Sequence, residues 1–404
     1  MHSWKRNQAA ITAAAFVGFT GFTLVMPFLP LYIRQLGVTD LGGIALWTGV
    51  TLGVSPAIAA LTAPLWGRVG DRFGTKLLVQ RSLISFIVVM TAMAYVTKPW
   101  HLFALRAIQG FFAGYGPLTL AMAARSAPRE KMAIAIGTVQ TAQRMGPAIG
   151  PVIGGMLAPT VGLRNAFFVA AGFYLAAFVL VTALYREPPR LPRASEGRRR
   201  LPFASILAFD NFLLIMGLLF ALQLVDRSFG PILPLHLGEI GYTADEVPLA
   251  AGILFSVLAF TGALGNQLSG RLLKRHSPRA IIAWAVLTAA GALGVLTLAS
   301  GMWVMASAMA VAGLGIGTAI TTAFTAGGAV IPQEVHATAF GFLTGASLIG
   351  VAISPVLSGL VGARSIRAVF VAGLVMLVVL AILVRRLMVE PNPPIESAPA
   401  VEES

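Results

Sequence analysis

The chain has no cysteine. Disulfides, thiolate metal sites and thiol catalysis are thereby excluded. It is also poor in charge. Asp, Glu, Lys and Arg make up 11% of its 404 residues, where soluble domains carry about a quarter. So little charge cannot cover a soluble protein of this size, whereas lipid tails need no polar partner. Acids are the scarcer sign, 15 against 29 Lys and Arg. The five histidines (His2, His101, His236, His276 and His336) stand at no metal-ligand spacing, and no metal site is expected. No Gly-x-x-x-x-Gly-Lys-[Ser/Thr] loop occurs, so ATP is not expected as a direct driver. No nucleophile–base pair suggests an enzyme.

What the chain has is apolar length. Hydrophobic residues make up 57% of it, and the mean hydropathy is +0.83. About 20 apolar residues cross the hydrocarbon core of a bilayer. Runs of that length fall at about 9–33, 44–66, 77–97, 102–124, 132–157, 164–185, 207–236, 247–269, 280–300, 302–327, 336–361 and 366–387. A helix satisfies its own backbone in lipid, so the sequence predicts an all-α membrane protein with about twelve transmembrane helices. The first run is too long for the core of a signal peptide, about 7–15 residues. It reads as an uncleaved first span.

The net charge of +14 is not a nucleic-acid footprint, because the basic residues sit in short breaks between apolar runs. With the N-terminus inside, twenty Lys and Arg fall on the inner side and five on the outer. The positive-inside rule then predicts that both termini are cytoplasmic. The remaining four, Arg81, Arg106, Arg144 and Arg227, fall within spans. The Arg- and Pro-rich stretch 186–204 separates an N-terminal half, 1–185, from a C-terminal half, 205–387. Residues 388–404 form an acidic, Pro-rich tail with the composition of a disordered segment.

The halves repeat each other. At a shift of about 204 positions, Pro27-Phe28-Leu29-Pro30-Leu31 meets Pro231-Ile232-Leu233-Pro234-Leu235. In the same register Gly137, Gly146, Pro151 and Gly155 meet Gly341, Gly350, Pro355 and Gly359. Gly67-Arg68 meets Gly270-Arg271 one position off that register. One register held across six spans points to a tandem duplication, the plan of many secondary transporters.

Three stretches carry a family resemblance. The first is Gly67-Arg68-Val69-Gly70-Asp71-Arg72-Phe73-Gly74-Thr75-Lys76, placed between spans 2 and 3. It resembles the signature loop of the major facilitator superfamily, with Thr75 where that family usually has a basic residue. The second, Arg106-Ala107-Ile108-Gln109-Gly110, looks like the family's Arg-x-x-Gln-Gly motif in span 4. The third sets Gly137, Gly146, Gly150-Pro151 and Gly154-Gly155 at the spacing of the span-5 motif of drug and proton antiporters. Together with the opening Trp4-Lys5-Arg6-Asn7, these are similar to the bacterial 12-span drug:proton antiporters. The resemblance implies two pseudo-symmetric six-helix halves working by alternating access, powered by a proton gradient with no cofactor. It implies a monomer in the cytoplasmic membrane of a bacterium, with a small-molecule substrate, protons and the bilayer as partners. A proton-coupled transporter of one metabolite, such as a sugar or organic anion, stays open as an alternative. So does a non-transporting membrane receptor or scaffold.

Candidate residues follow from the resemblance and from position within the spans. Asp71, with Gly67, Gly70, Arg72, Gly74 and Lys76, forms a conformational loop, and Asp71 is expected to accept from Arg125 and from the helix start near His336. Asp226 is the one acid placed deep in a span, and an intramembrane acid is a functional candidate by default. With Arg106 it is assigned to proton coupling. The family's usual acid in span 1 has no counterpart between Ala9 and Ile33. Gln109, Gln140, Gln143, Arg144, Gln223 and Arg227 are candidate cavity residues. Three span arginines against Asp226 leave a positive surplus, which favours neutral, zwitterionic or anionic cargo. Gly146, Gly150 and Gly154 line one helix face, expected to meet span 8 of the other half.

Overall fold

The computed structural model describes residues 2–128, 131–188, 209, 211–329 and 336–389. The side chains of residues 2, 3, 64, 67, 68, 70–73, 133, 329 and 336–338 lie outside that description. Fourteen α-helices run through the described residues: α1 His2–Leu24, α2 Leu29–Gln35, α3 Leu41–Phe73, α4 Thr75–Met93, α5 Pro99–Phe111, α6 Tyr115–Ser126, α7 Met132–Val161, α8 Leu163–Leu184, α9 Phe212–Glu239, α10 Val247–Leu272, α11 Pro278–Leu298, α12 Met302–Ala329, α13 His336–Gly362 and α14 Ile366–Leu387. A short 3₁₀ turn, Met26–Phe28, joins α1 to α2. Ten candidate spans are long and apolar enough to cross a membrane, the first formed by α1 and α2 together.

Helix ends follow local chemistry. Gly74 (φ 97°) and Gly162 (φ 85°) take left-handed backbone angles that a side chain would resist, and they let α3 turn into α4 and α7 into α8. Pro99 opens α5 at a position whose N–H has no helical partner anyway. Ser277 and Ser365 cap α11 and α14 by accepting from Ala280 N and Ala368 N.

Two expectations need correction. The run 102–124 is not one helix. It breaks at Phe112–Gly114, where Gly114 adopts φ 118°. The freed carbonyls are taken by side chains from other helices. Trp66 Nε1 donates to Phe111 O at 2.6 Å, Ser82 Oγ to Phe112 O at 2.8 Å, and Arg81 Nη2 to Phe112 O and Ala113 O at 2.9 and 3.0 Å. The Arg81 guanidinium lies 3.5 Å above the Trp66 ring. A break inside lipid persists only when its backbone groups are satisfied this way. The second correction concerns the stretch from Gly67. Most of it is not a loop but the last turns of α3, and the chain turns only at Gly74.

The bundle packs by close approach of small residues. α3 meets α13 where a Cβ on Gly53 would lie 2.6 Å from Ala352 O and one on Gly359 2.6 Å from Ala45 O. α7 meets α10 where Gly252 lies against Pro151 O and Gly155 against Pro248 O. These contacts lie towards the end of the bundle away from the chain termini. Nearer the termini, the same helices carry Gly137, Gly270, Gly341 and Gly345, and nothing lies within 4 Å of a Cβ built there. The helix pairs are thus tight at one end and apart at the other.

The repeat is visible in detail. Tyr32 packs on Phe167 at 4.9 Å, and His236 packs on Phe370 at 5.1 Å about 204 positions on.

Candidate functional site

α7 threads the middle of the site. Its prolines, Pro147, Pro151 and Pro159, remove backbone donors and bend a helix. Its Gly-x-x-x-Gly face does not meet α10, contrary to expectation. It packs on α1. A Cβ on Gly146 would lie 2.7 Å from Phe19 Cβ, one on Gly150 2.5 Å from Thr20 O, and one on Gly154 would run into Leu24 O. Gly155, one residue round the helix with Pro151, is what faces α10. Thus α7 is wedged between α1 and α10, and glycine on two sides allows both approaches.

The polar residues of α7 point to different partners. Gln143 Nε2 donates to Gly116 O at 3.0 Å and Thr119 Oγ1 at 2.9 Å, so it ties α7 to α6. Gln140 and Arg144 are exposed. With its amide oxygen turned towards α7, Asn266 of α10 accepts from Arg144 Nη1 and donates to Thr321 Oγ1 at 2.7 Å and Gly317 O at 2.8 Å. One polar chain therefore joins α7, α10 and α12.

On α9, Asp226 and Arg227 form an ion pair, Nε to Oδ2 3.2 Å, at side-chain exposures of 24% and 46%. Arg106 and Arg144 do not reach Asp226 within ion-pair distance. Gln223, one turn before Asp226, has its Cβ beside Gly350 of α13 and a buried Oε1 without a protein donor. Gly230, one turn after, faces Leu52 of α3. The face bearing Gln223, Asp226 and Gly230 thus looks toward α3 and α13. Arg106 and Gln109 are buried elsewhere, in contact with each other through a 3.0 Å hydrogen bond.

At the terminal end, the side chains of Gly67, Gly70, Asp71 and Arg72 fall outside the described residues, as does that of His336. Arg125 is 3.9 Å from Glu187. Glu187 also accepts from Thr75 N at 2.8 Å and Thr75 Oγ1 at 3.1 Å. An anion there suits the start of α4. Lys76 Nζ donates to Tyr185 O at 2.7 Å. Burial pushes the Tyr185 phenol above the ordinary tyrosine range, so it stays a neutral hydroxyl beside Ser126. Sequence reasoning missed Glu187 because it stands far along the chain in a proline-rich stretch. Thr75, set aside as a departure from the family pattern, is its partner.

The sequence model of the Major Facilitator Superfamily matches residues 11–343 and 215–404. The chain is 32% identical over 287 residues to the multidrug resistance protein MdtG of Serratia proteamaculans, covering 70% of each. It is 32% identical over 283 residues to a multi-drug resistance efflux pump PmrA homolog of Lactococcus lactis, covering 69% of each. Among solved structures it is similar to a bacterial homolog of the human lysosomal transporter Spinster, with a TM-score of 0.79 at 17% identity over 95% of this chain and 97% of that one. The nucleoside transporter NupG follows the same fold, with a TM-score of 0.71 at 13% identity, covering 93% and 98%.

Proposed function

The chain belongs to the major facilitator superfamily, and from that premise we propose that it exports drugs or other small amphipathic molecules across a bacterial cytoplasmic membrane in exchange for protons. The names of its relatives support the cargo class. The observation that carries the reading is the position of α7, pressed by glycine against α1 on one side and α10 on the other.

In this reading α5 with α6 makes one broken span and α7 another, which with the ten apolar candidates gives twelve. α7 falls short on hydropathy alone because of Gln140, Gln143 and Arg144. The spans form two halves, 1–185 and 205–387, joined by the linker 186–204 and followed by the tail 388–404. Both termini face the cytoplasm, as the basic residues favour. The tight end of the α3–α13 and α7–α10 pairs is then the outer seal, and the separated end opens inward. Export follows from swapping which end is tight.

Asp226 carries the proton. It is the acid within the spans among the described residues, half-buried on a face towards the other half. Protonation breaks its ion pair with Arg227 and releases that side chain. Arg106 acts in coupling from its buried position inside the bundle. Arg144, with Gln140, Gln143, Gln223 and Arg227, sets the polarity of the cavity, whereas Gln109, expected there too, is buried beside Arg106. The proton gradient is the energy source, and the monomer is the working unit. The test is a transport assay in inverted vesicles that scans dyes and antibiotics while recording pH. Drug-evoked proton movement is expected. Transport of a single sugar or organic anion instead would replace this reading with the metabolite one.

A further inference from the structure

α5 carries Arg106 and Gln109 three residues apart on one face, into the interior of the bundle made by α1, α4, α5, α6 and α8. Each is 2% exposed. Arg106 Nη1 donates to Gln109 Oε1 at 3.0 Å. The rest of the guanidinium edge, Nε and Nη2, is buried with no acceptor in the protein. Gln109 Nε2 is in the same condition, and so is the hydroxyl of Tyr174 on α8, 1% exposed. Tyr174 faces the same bundle interior, where Phe86 of α4 packs edge-on against its ring at 5.2 Å. The neighbouring hydroxyl of Tyr115 is already committed to Ala14 O. Among the described residues, no carboxylate stands within ion-pair distance of Arg106.

The arginine cannot shed its proton, and a buried cation without a counter-charge is strongly unfavourable. The orphaned atoms are three donor nitrogens and one hydroxyl oxygen, an almost pure set of donors. Water accepts two hydrogen bonds, must place two protons of its own, and leaves the charge uncompensated. A small anion accepts from all four and neutralises the charge. Packing alone does not require these residues. At a shift of about 203 the second repeat places Met309, Ala312 and Leu377 at these positions, all 0% exposed.

We propose that Arg106, Gln109 and Tyr174 form a binding site for one small monovalent anion of the halide class, which acts as the buried counter-ion of Arg106. The site rests on buried donors and not on the transport reading, so the two stand or fall separately. It is tested on the purified full chain in detergent, with sodium chloride or bromide replaced by gluconate at constant ionic strength. Both halides raise the melting temperature saturably and gluconate does not. Tyr174→Phe, which keeps the ring, raises the half-saturating halide concentration about tenfold, the loss of one good hydrogen bond. Arg106→Gln removes the halide dependence. Crystals grown in bromide show an anomalous peak among Arg106 Nε, Arg106 Nη2 and the Tyr174 hydroxyl. Equal melting in chloride and gluconate, or a halide dependence untouched by these substitutions, or bromide only at the surface, overturns the proposal. If Arg106→Gln does not fold, titrations of Tyr174→Phe and Gln109→Leu decide it.

Discussion

Asn7 and Asn211, about 204 positions apart, hold the chain in the same way. Asn7 Nδ2 donates to Arg186 O at 2.8 Å and its Oδ1 accepts from Arg186 N at 3.0 Å. Asn211 makes the same pair of bonds with Val389, both at 2.8 Å. Each amide imitates a strand partner and ties the chain near the start of one repeat to the chain leaving its last helix. Asn7→Ala or Asn211→Ala removes two hydrogen bonds worth about 0.5–1.5 kcal/mol each. Each variant is expected to lower unfolding stability by roughly 1–3 kcal/mol, with effects in the double variant additive within about 0.5 kcal/mol. Thermal unfolding in detergent measures both. Strong non-additivity would mean that the two clasps report on one shared structure.

The α1–α7 contact is where a large side chain does most harm. Gly150→Leu and Gly154→Leu drive a side chain into the α1 backbone at Thr20 and Leu24. Overpacking costs typically about 1–3 kcal/mol, and two backbones in contact leave little room to relax. Export is expected to fall in both, with the protein still inserted in the membrane. Gly137→Leu, facing open space, leaves the α1–α7 contact untouched and should match the wild type in insertion and thermal stability. A functional Gly154→Leu protein would show that α1 and α7 do not touch during transport.

The absence of cysteine makes the tight end of the α3–α13 pair directly testable. A Cβ on Gly42 would lie 3.4 Å from Ala363 Cβ, close to the Cβ separation of a disulfide, about 3.5–4.5 Å. Gly42→Cys with Ala363→Cys should oxidise readily, stop export, and recover it on reduction. Unimpaired export by the fully cross-linked protein would show that α3 and α13 do not part at this end.

Arg144 should discriminate by charge. Arg144 is an exposed residue held by Asn266, and the export reading puts its positive charge beside the cargo path. Arg144→Gln is expected to raise efflux of permanent cations about tenfold relative to neutral drugs, read in a panel of ethidium-like dyes and neutral antibiotics. An unchanged ratio would mean that this charge is too well screened to select cargo.

The spans were legible because lipid leaves only hydropathy and helix length to vary. The family was legible in the spacing of its motifs, and the repeat in the shift that sets Tyr32 on His236. The break in span 4 was not legible. Phe111-Phe112-Ala113-Gly114 reads as continuous apolar helix, and the groups that stabilise its break, Trp66, Arg81 and Ser82, come from two other helices. The glycines of α7 announced a close approach but could not name the neighbour. Gly154 and Gly155 are adjacent in sequence, yet one meets α1 and the other α10. The Asn7–Asn211 pairing was recoverable from the shift that aligned the prolines. A lone asparagine near a helix start, however, looks like an ordinary surface residue in sequence.

Proton coupling through Asp226 is the central claim, and one measurement on Asp226→Asn tests it most directly. Wild-type protein and the variant are reconstituted in proteoliposomes with an imposed pH gradient, and drug accumulation and internal pH are followed together. The account predicts that the wild type accumulates drug uphill with opposing proton flow. It predicts that Asp226→Asn still binds drug but drives neither uphill accumulation nor drug-evoked proton movement. Undiminished uphill accumulation with proton flow in Asp226→Asn would contradict it.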